Sequence, residues 1–149
     1  MVNSLYHKCI VIDNSVLLKS FVQEEFSELV DDIIDMNLRR ETTFLAPSIL
    51  IYEFLNVIPR IYASFDDASN AFNRMRKLNL SIMEPDDEVL INAAKILFEN
   101  PTASYYDAVY HALADDTSAI FLTADKKYYD LMKKQGNVEY LGNLKVRKK

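Results

Sequence analysis

Only two glycines, Gly136 and Gly142, occur in 149 residues. No Gly-x-Gly-x-x-Gly turn exists, which excludes a Rossmann-type dinucleotide site. With so few glycines and only four prolines, long flexible linkers are not expected. The single cysteine, Cys9, excludes an intramolecular disulfide and any multi-cysteine metal site. Its place in an apolar run reads as a small core residue, and such sparing use fits a reducing compartment. No apolar run is long enough to cross a bilayer. The first residues lack the basic end, apolar stretch and small-residue cleavage site of a secretory signal. The expectation is a cytoplasmic protein with no membrane partner. Excess positive charge is missing too: the formal net charge is −5. That argues against a broad, non-specific nucleic-acid binder, but not against an enzyme that meets nucleic acid at one small metal site.

Half of the chain is hydrophobic, enough for one ordinary domain with a proper core. Short apolar, partly β-branched runs alternate with stretches of helical periodicity. Strands are expected over 8–12, 43–46, 81–83, 119–122 and 138–141. Between them, helices are expected over 14–21, 24–38, 49–58, 66–78, from Pro85-Asp86 to Pro101, 104–115 and 125–134. Strands that read as continuous apolar runs and alternate with helices imply a parallel sheet covered on both faces. The fold class expected is a single-domain, three-layer α/β/α arrangement with a central parallel sheet. In such folds the crevice lies beyond the carboxyl ends of the strands, where strand order reverses.

Against this background four acids are out of place. Asp13 and Asp125 each follow an apolar run directly. Glu53 sits within Ile49-Leu50-Ile51-Tyr52-Glu53-Phe54-Leu55, and Asp107 opens Asp107-Ala108-Val109-Tyr110-His111. A buried, unpaired carboxylate costs several kcal/mol, so acids at strand ends and on apolar helix faces point to shared use. The natural partner of clustered carboxylates is a hard divalent cation. Each acid also has a plain structural reading. Asp13 and Asp125 suit helix N-caps, Ser104-x-x-Asp107 has the form of a capping box, and Glu53 with Asn56 fits a solvated helix edge. Around the acids, Ser15 is placed to reach the crevice from beside Asp13. Asn56 shares a helix face with Glu53 as an orienting partner, and Thr123 adds a polar group at the strand end. His7 and His111 form no metal pair, and His111, one turn after Asp107, reads as a surface or packing residue, with a place at the crevice as the other reading. Tyr105 and Tyr106 read first as packing residues, with base stacking as the other role. Ile58, Ile61, Tyr62 and Phe65 form an apolar group that reads equally as core or as a partner contact.

Four stretches together resemble PIN-domain proteins: Ile10-Val11-Ile12-Asp13-Asn14-Ser15, Ser48-Ile49-Leu50-Ile51-Tyr52-Glu53-Phe54-Leu55-Asn56, Tyr106-Asp107-Ala108, and Phe121-Leu122-Thr123-Ala124-Asp125. Their order and coarse spacing fit across nearly the whole chain. Asn14 stands where that family often has alanine. The resemblance implies Mg²⁺ or Mn²⁺ held by Asp13, Glu53, Asp107 and Asp125, and cleavage of an RNA substrate. Asp13 and Asp125 are expected as direct ligands, Glu53 and Asp107 as ligands or water-positioning groups. The size is closest to VapC-type toxins of toxin–antitoxin pairs, which implies a homodimer and a cognate antitoxin protein. Residues 1–142 are then the nuclease domain, and 143–149 a short basic tail. The alternatives are an RNA-processing PIN nuclease outside such a pair and an inactive PIN-like binding module. Haloacid-dehalogenase-like phosphatases need a second aspartate where Ser15 stands, and receiver domains need an acidic pair where only Asp13 is offered.

Overall fold

The computed structural model describes Leu5 and residues 8–144. His7 and the basic residues Lys145 to Lys149 lie outside the described residues. Five parallel strands form one sheet: β1 (Cys9–Ile12), β2 (Thr43–Pro47), β3 (Ser81–Met83), β4 (Ile120–Thr123) and β5 (Val138–Tyr140), in the order β3-β2-β1-β4-β5. The chain steps from β1 outward to β3, returns to the centre at β4, and ends at β5. Right-handed crossovers running in opposite directions put their helices on opposite faces of the sheet. The seven α-helices among the described residues are α1 (Asn14–Leu17), α2 (Ser27–Leu38), α3 (Ile49–Ile61), α4 (Phe65–Arg76), α5 (Asp87–Glu99), α6 (Tyr105–Asp116) and α7 (Lys126–Met132). The result is the expected three-layer α/β/α sandwich. β1 and β4 are direct neighbours, with Ile10 beside Ile120 and Ile12 beside Leu122. The break in strand order therefore falls between β1 and β4.

The central strands are apolar because both faces are covered: Ile10, Val11, Ile12, Phe44, Ala46, Phe121 and Leu122 are wholly buried. Cys9 departs from expectation and is exposed. It opens β1 at the edge opposite the carboxyl ends and pairs with Thr43, also exposed, so both positions at this end of the ladder face solvent. On α3 the buried positions Leu50, Phe54 and Ile58 recur every fourth residue. This helix runs three residues past its expected end despite Pro59. A proline in the last turn forfeits only one backbone hydrogen bond, and the Arg60 side chain binds the Asn56 carbonyl at 2.7 Å there. By contrast, α2 starts three residues later than expected. The Ser27 hydroxyl accepts from the Glu24 amide (2.9 Å) and donates to the Val22 carbonyl (2.8 Å), which holds a turn that leaves Phe26 left-handed at φ 69°. The apolar group at the end of α3 divides: Ile58 is core, Tyr62 is half-buried, and Ile61 and Phe65 are exposed. Leu144, two residues beyond Gly142, is buried.

Asn37, deep in the interior, is an unforeseen polar tie. Its Oδ1 accepts from the Phe44 amide (2.9 Å), and its Nδ2 donates to the carbonyls of Leu78 (2.8 Å) and Asn79 (3.2 Å). One amide thus joins α2, β2 and the turn that leads into β3.

Candidate active site

Asp13 is the first residue beyond β1, and its amide donates to the Leu122 carbonyl at 3.0 Å, continuing the β1–β4 ladder by one rung. Its side chain is buried and does not cap α1. Instead Oδ2 accepts from Ser15 Oγ (2.7 Å) and Thr123 Oγ1 (2.8 Å). Those hydroxyls are held in turn. The Ala124 amide donates to Ser15 Oγ (3.1 Å), and the Asp125 amide to Thr123 Oγ1 (3.0 Å). The ends of β1 and β4 are thus laced together at the switch point. Burial pushes the Asp13 carboxyl above its usual range, against the pull of the Ser15 and Thr123 hydrogen bonds.

Asp125 does serve as the N-cap of α7, with Oδ1 accepting from the Tyr128 amide at 3.0 Å. This occupies one oxygen, and the residue still lines a cavity of about 450 Å³ that it shares with Asp107. The capping-box reading of Ser104 and Asp107, one of the two left open, is not met, since Ser104 makes no side-chain cap. Asp107, in the first turn of α6, is instead half-buried beside the other acids. Burial and then the negative charges of Asp13, Asp125 and Glu53 raise its pKa to about 7. All the charges acting on it are of its own sign, so the four acids share one field.

Glu53 leaves α3 toward α6, where Tyr110 Oη donates to its Oε1 at 2.8 Å. Burial raises the Glu53 pKa, the Tyr110 hydrogen bond lowers it, and the charge of Asp13 raises it further. Asn56 does not orient Glu53. It lies on the exposed stripe of α3 with Tyr52, one turn earlier, while Glu53 belongs to the half-buried flank. Tyr110, missed from the sequence, holds the orienting position. Its trace was its spacing, one turn after Asp107 on the same helix. The ring is buried and stacks on Phe121 with centroids 5.7 Å apart. Burial, with the charges of Asp13 and Glu53, pushes its phenol far above the ordinary range and keeps it a donor.

His111 is a buried packing residue. Its Nε2 lies 2.9 Å from the Gly136 carbonyl and its Nδ1 3.0 Å from Tyr128 Oη. A carbonyl only accepts, so Nε2 carries the proton and Nδ1 accepts from the tyrosine. Tyr106 is exposed, and Tyr105 is half-buried with its hydroxyl on the Leu90 carbonyl (3.1 Å).

A family model of the PIN domain matches residues 10–134, a span that includes all four acids, and the chain belongs to that family. Among solved structures it is similar to VapBC2 from Rickettsia felis, solved with a DNA fragment from their promoter (12% identity, TM-score 0.68, over 89% of this chain and 98% of that one). It is likewise similar to FitAcB from Neisseria gonorrhoeae (15% identity, TM-score 0.68, over 91% and 99%). A third similar structure is VapC20 from Mycobacterium tuberculosis, a sarcin–ricin loop cleaving toxin (12% identity, TM-score 0.64, over 81% and 93%). At these identities the likeness is one of fold. No curated protein sequence matches the chain significantly.

Proposed function

We propose that this PIN-domain chain is a metal-dependent endoribonuclease and the toxin of a toxin–antitoxin pair. The observation that carries the reading is that Asp107, raised to about 7 first by burial, also feels the charges of Asp13, Asp125 and Glu53, with Asp13 and Asp125 at the strand ends of the switch point. Family membership supports nuclease chemistry, and the toxin and toxin–antitoxin neighbours support the role.

The donor set suits Mg²⁺ or Mn²⁺. It is all oxygen, and no cation appears among the charges that act on Asp13, Glu53 or Asp107. Among the described residues, no group of three His, Cys, Asp or Glu side chains is placed to hold a metal ion as it stands. Mg²⁺ keeps several waters and takes only one or two direct carboxylates, so some of the four acids would act through water. Asp13, Glu53, Asp107 and Asp125 would hold it, and when bound it would lower the pKa of a water and offset charge on phosphoryl oxygens.

The chain's own groups have separable tasks. Ser15 and Thr123 fix the Asp13 carboxylate through Oδ2, and no side-chain donor among the described residues occupies Oδ1. Tyr110 fixes Glu53 through Oε1. Among the described residues, Asp107 accepts no hydrogen bond from a side chain, which leaves its carboxylate open to an ion or a water. In the proposed step water attacks an RNA phosphodiester in line, the P–O bond opposite it breaks, and the leaving oxygen takes a proton from solvent, while Asp107 helps to hold the ion or to position the attacking water. A homodimer and an antitoxin are the proposed protein partners. Support comes from α5, which turns Ile91 (65% exposed) and Phe98 (88% exposed) outward two turns apart on one face.

RNA cleavage by the purified chain with Mg²⁺, Mn²⁺ or EDTA, beside Asp13→Asn, tests the nuclease. Cutting that needs the metal and vanishes in the variant is the expected result. No cutting of structured or unstructured RNA with either metal would end the reading. The toxin role is tested by expression in bacteria: wild type should arrest growth and Asp13→Asn should not. Sedimentation as a pure monomer at micromolar concentration would count against the homodimer.

A further inference from the structure

The 450 Å³ cavity is larger than the acids need. Asp107 and Asp125 form only part of its wall; the rest comes from the loop at Thr102, Ala103 and Ser104 on one side and from Lys127, Tyr128, Asp130 and Leu131 of α7 on the other. Its volume lies within the range of sites that enclose a small organic ligand. Ala103, Leu131 and the Tyr128 ring give it an apolar lining. The Ser104 hydroxyl, which caps nothing, and the Lys127 ammonium give it polar ends.

Lys127 stands apart from its neighbours on α7. Lys126 and Lys133 both bind Asp130, at 2.7 and 3.3 Å. Lys127 makes no ion pair among the described residues, although it lines a cavity that also contains Asp107, Asp125 and Asp130. It follows Asp125 by two positions and stands exposed at the rim of the cavity. A polyanionic substrate must approach the acid cluster against repulsion, and a cation at its border lowers the barrier.

Resting on the nuclease reading above, we propose that this cavity seats the nucleotide next to the scissile phosphate of a single-stranded RNA, with Lys127 contacting that nucleotide's backbone phosphate. The lysine acts as a point charge on phosphate. The apolar lining receives the base. A base enters a cavity of this kind only when unstacked, which a continuous A-form duplex does not offer.

The test is binding of a short fluorescein-labelled single-stranded RNA, with Mg²⁺ present, to protein carrying Asp13→Asn so that the probe survives. Adding Lys127→Ala should weaken binding by about three- to fivefold, as for one solvent-exposed ion contact. The slope of log affinity against log salt should become shallower by about 0.7, one phosphate on a single strand. Lys127→Arg should restore most of the affinity. Lys95→Ala, the same charge change on α5, should leave binding as it was. Thr102→Trp, which fills the cavity from an exposed loop, should also weaken binding. In the cutting enzyme, Lys127→Ala should raise KM more than it lowers kcat. If wild type cuts RNA while Lys127→Ala and Thr102→Trp bind the probe unchanged, this inference is overturned and the nuclease stands. Equal competition by the duplex form of the probe overturns the single-stranded seat. Wild type that neither cuts nor binds RNA overturns both readings together.

Discussion

Tyr110 Oη donates a 2.8 Å hydrogen bond to Glu53 Oε1, joining α6 to α3 at the acid cluster. The bond favours the charged carboxylate and works against the burial that raises the Glu53 pKa. Tyr110→Phe removes the donor and keeps the ring on Phe121. The variant should lose about 1–2 kcal/mol of stability and about tenfold in activity, as when the partner that orients a metal ligand is removed. Because the Glu53 pKa rises further without its donor, the deficit should grow as pH falls. A pH–rate profile whose acid limb matches wild type would refute the role given to Tyr110.

Thr123 performs two tasks with one oxygen. Its hydroxyl donates to Asp13 and accepts from the Asp125 amide. Thr123→Val keeps the shape and removes both bonds inside the buried strand end. The expected cost is about 1–3 kcal/mol for groups left without partners, together with weaker Mn²⁺ binding by calorimetry. Thr123→Ser retains the oxygen and should recover most of both quantities. Equal Mn²⁺ affinity in Val and Ser variants would mean that Thr123 supports the fold and not the site.

The Asn37 tie lies away from the acids and should behave differently. Asn37→Leu leaves the Phe44 amide and the Leu78 and Asn79 carbonyls without their partner. Urea unfolding should show a loss of about 2–4 kcal/mol, as for breaking a buried hydrogen-bonded network. RNA cutting per folded molecule should stay near wild type. A variant that cuts poorly while fully folded would show that Asn37 reaches the site.

The layers of the fold were legible because they rest on local pattern. β-branched runs bounded by helices of 3.6 periodicity identify a covered parallel sheet, and even the three-residue β3 falls where its apolar run lies. Asp13 and Asp125 were legible for the same reason, since acids placed directly after strands of a doubly wound sheet stand at its carboxyl edge. What the pattern does not carry is contact across the fold. Tyr110 and Glu53 are separated by 57 positions, and Asn37 and Leu78 by 41. No periodicity links such pairs. Asn56 misled because a spacing of three residues spans part of a helix face, and the boundary between buried and exposed falls inside that span. Cys9 misled because an apolar run does not reveal which end of a strand faces solvent.

Asp107 makes the metal-free protein sensitive to pH in a stated direction. Unfolded, its carboxyl titrates near the ordinary 3.8; folded, at about 7. The folded chain therefore binds this proton more tightly. The stability it contributes is fully present below the unfolded pKa and is lost as pH rises through the folded one. Partial access to water trims the effect. Melting in EDTA should thus fall by a few degrees between about pH 5 and about pH 8, the shift that roughly 1 kcal/mol produces in a domain of this size. Asp107→Asn has no proton to lose, so it should melt above wild type at the upper pH and show a flatter profile. A divalent cation acts in the opposite sense to the proton, because it neutralises the field that the other three acids impose. Mg²⁺ or Mn²⁺ should raise the melting temperature of wild type more at the upper pH than at the lower, by mass action on the folded state, and should raise that of Asp107→Asn less. Identical pH profiles for wild type and variant in EDTA would show that Asp107 does not carry the shared charge of the site.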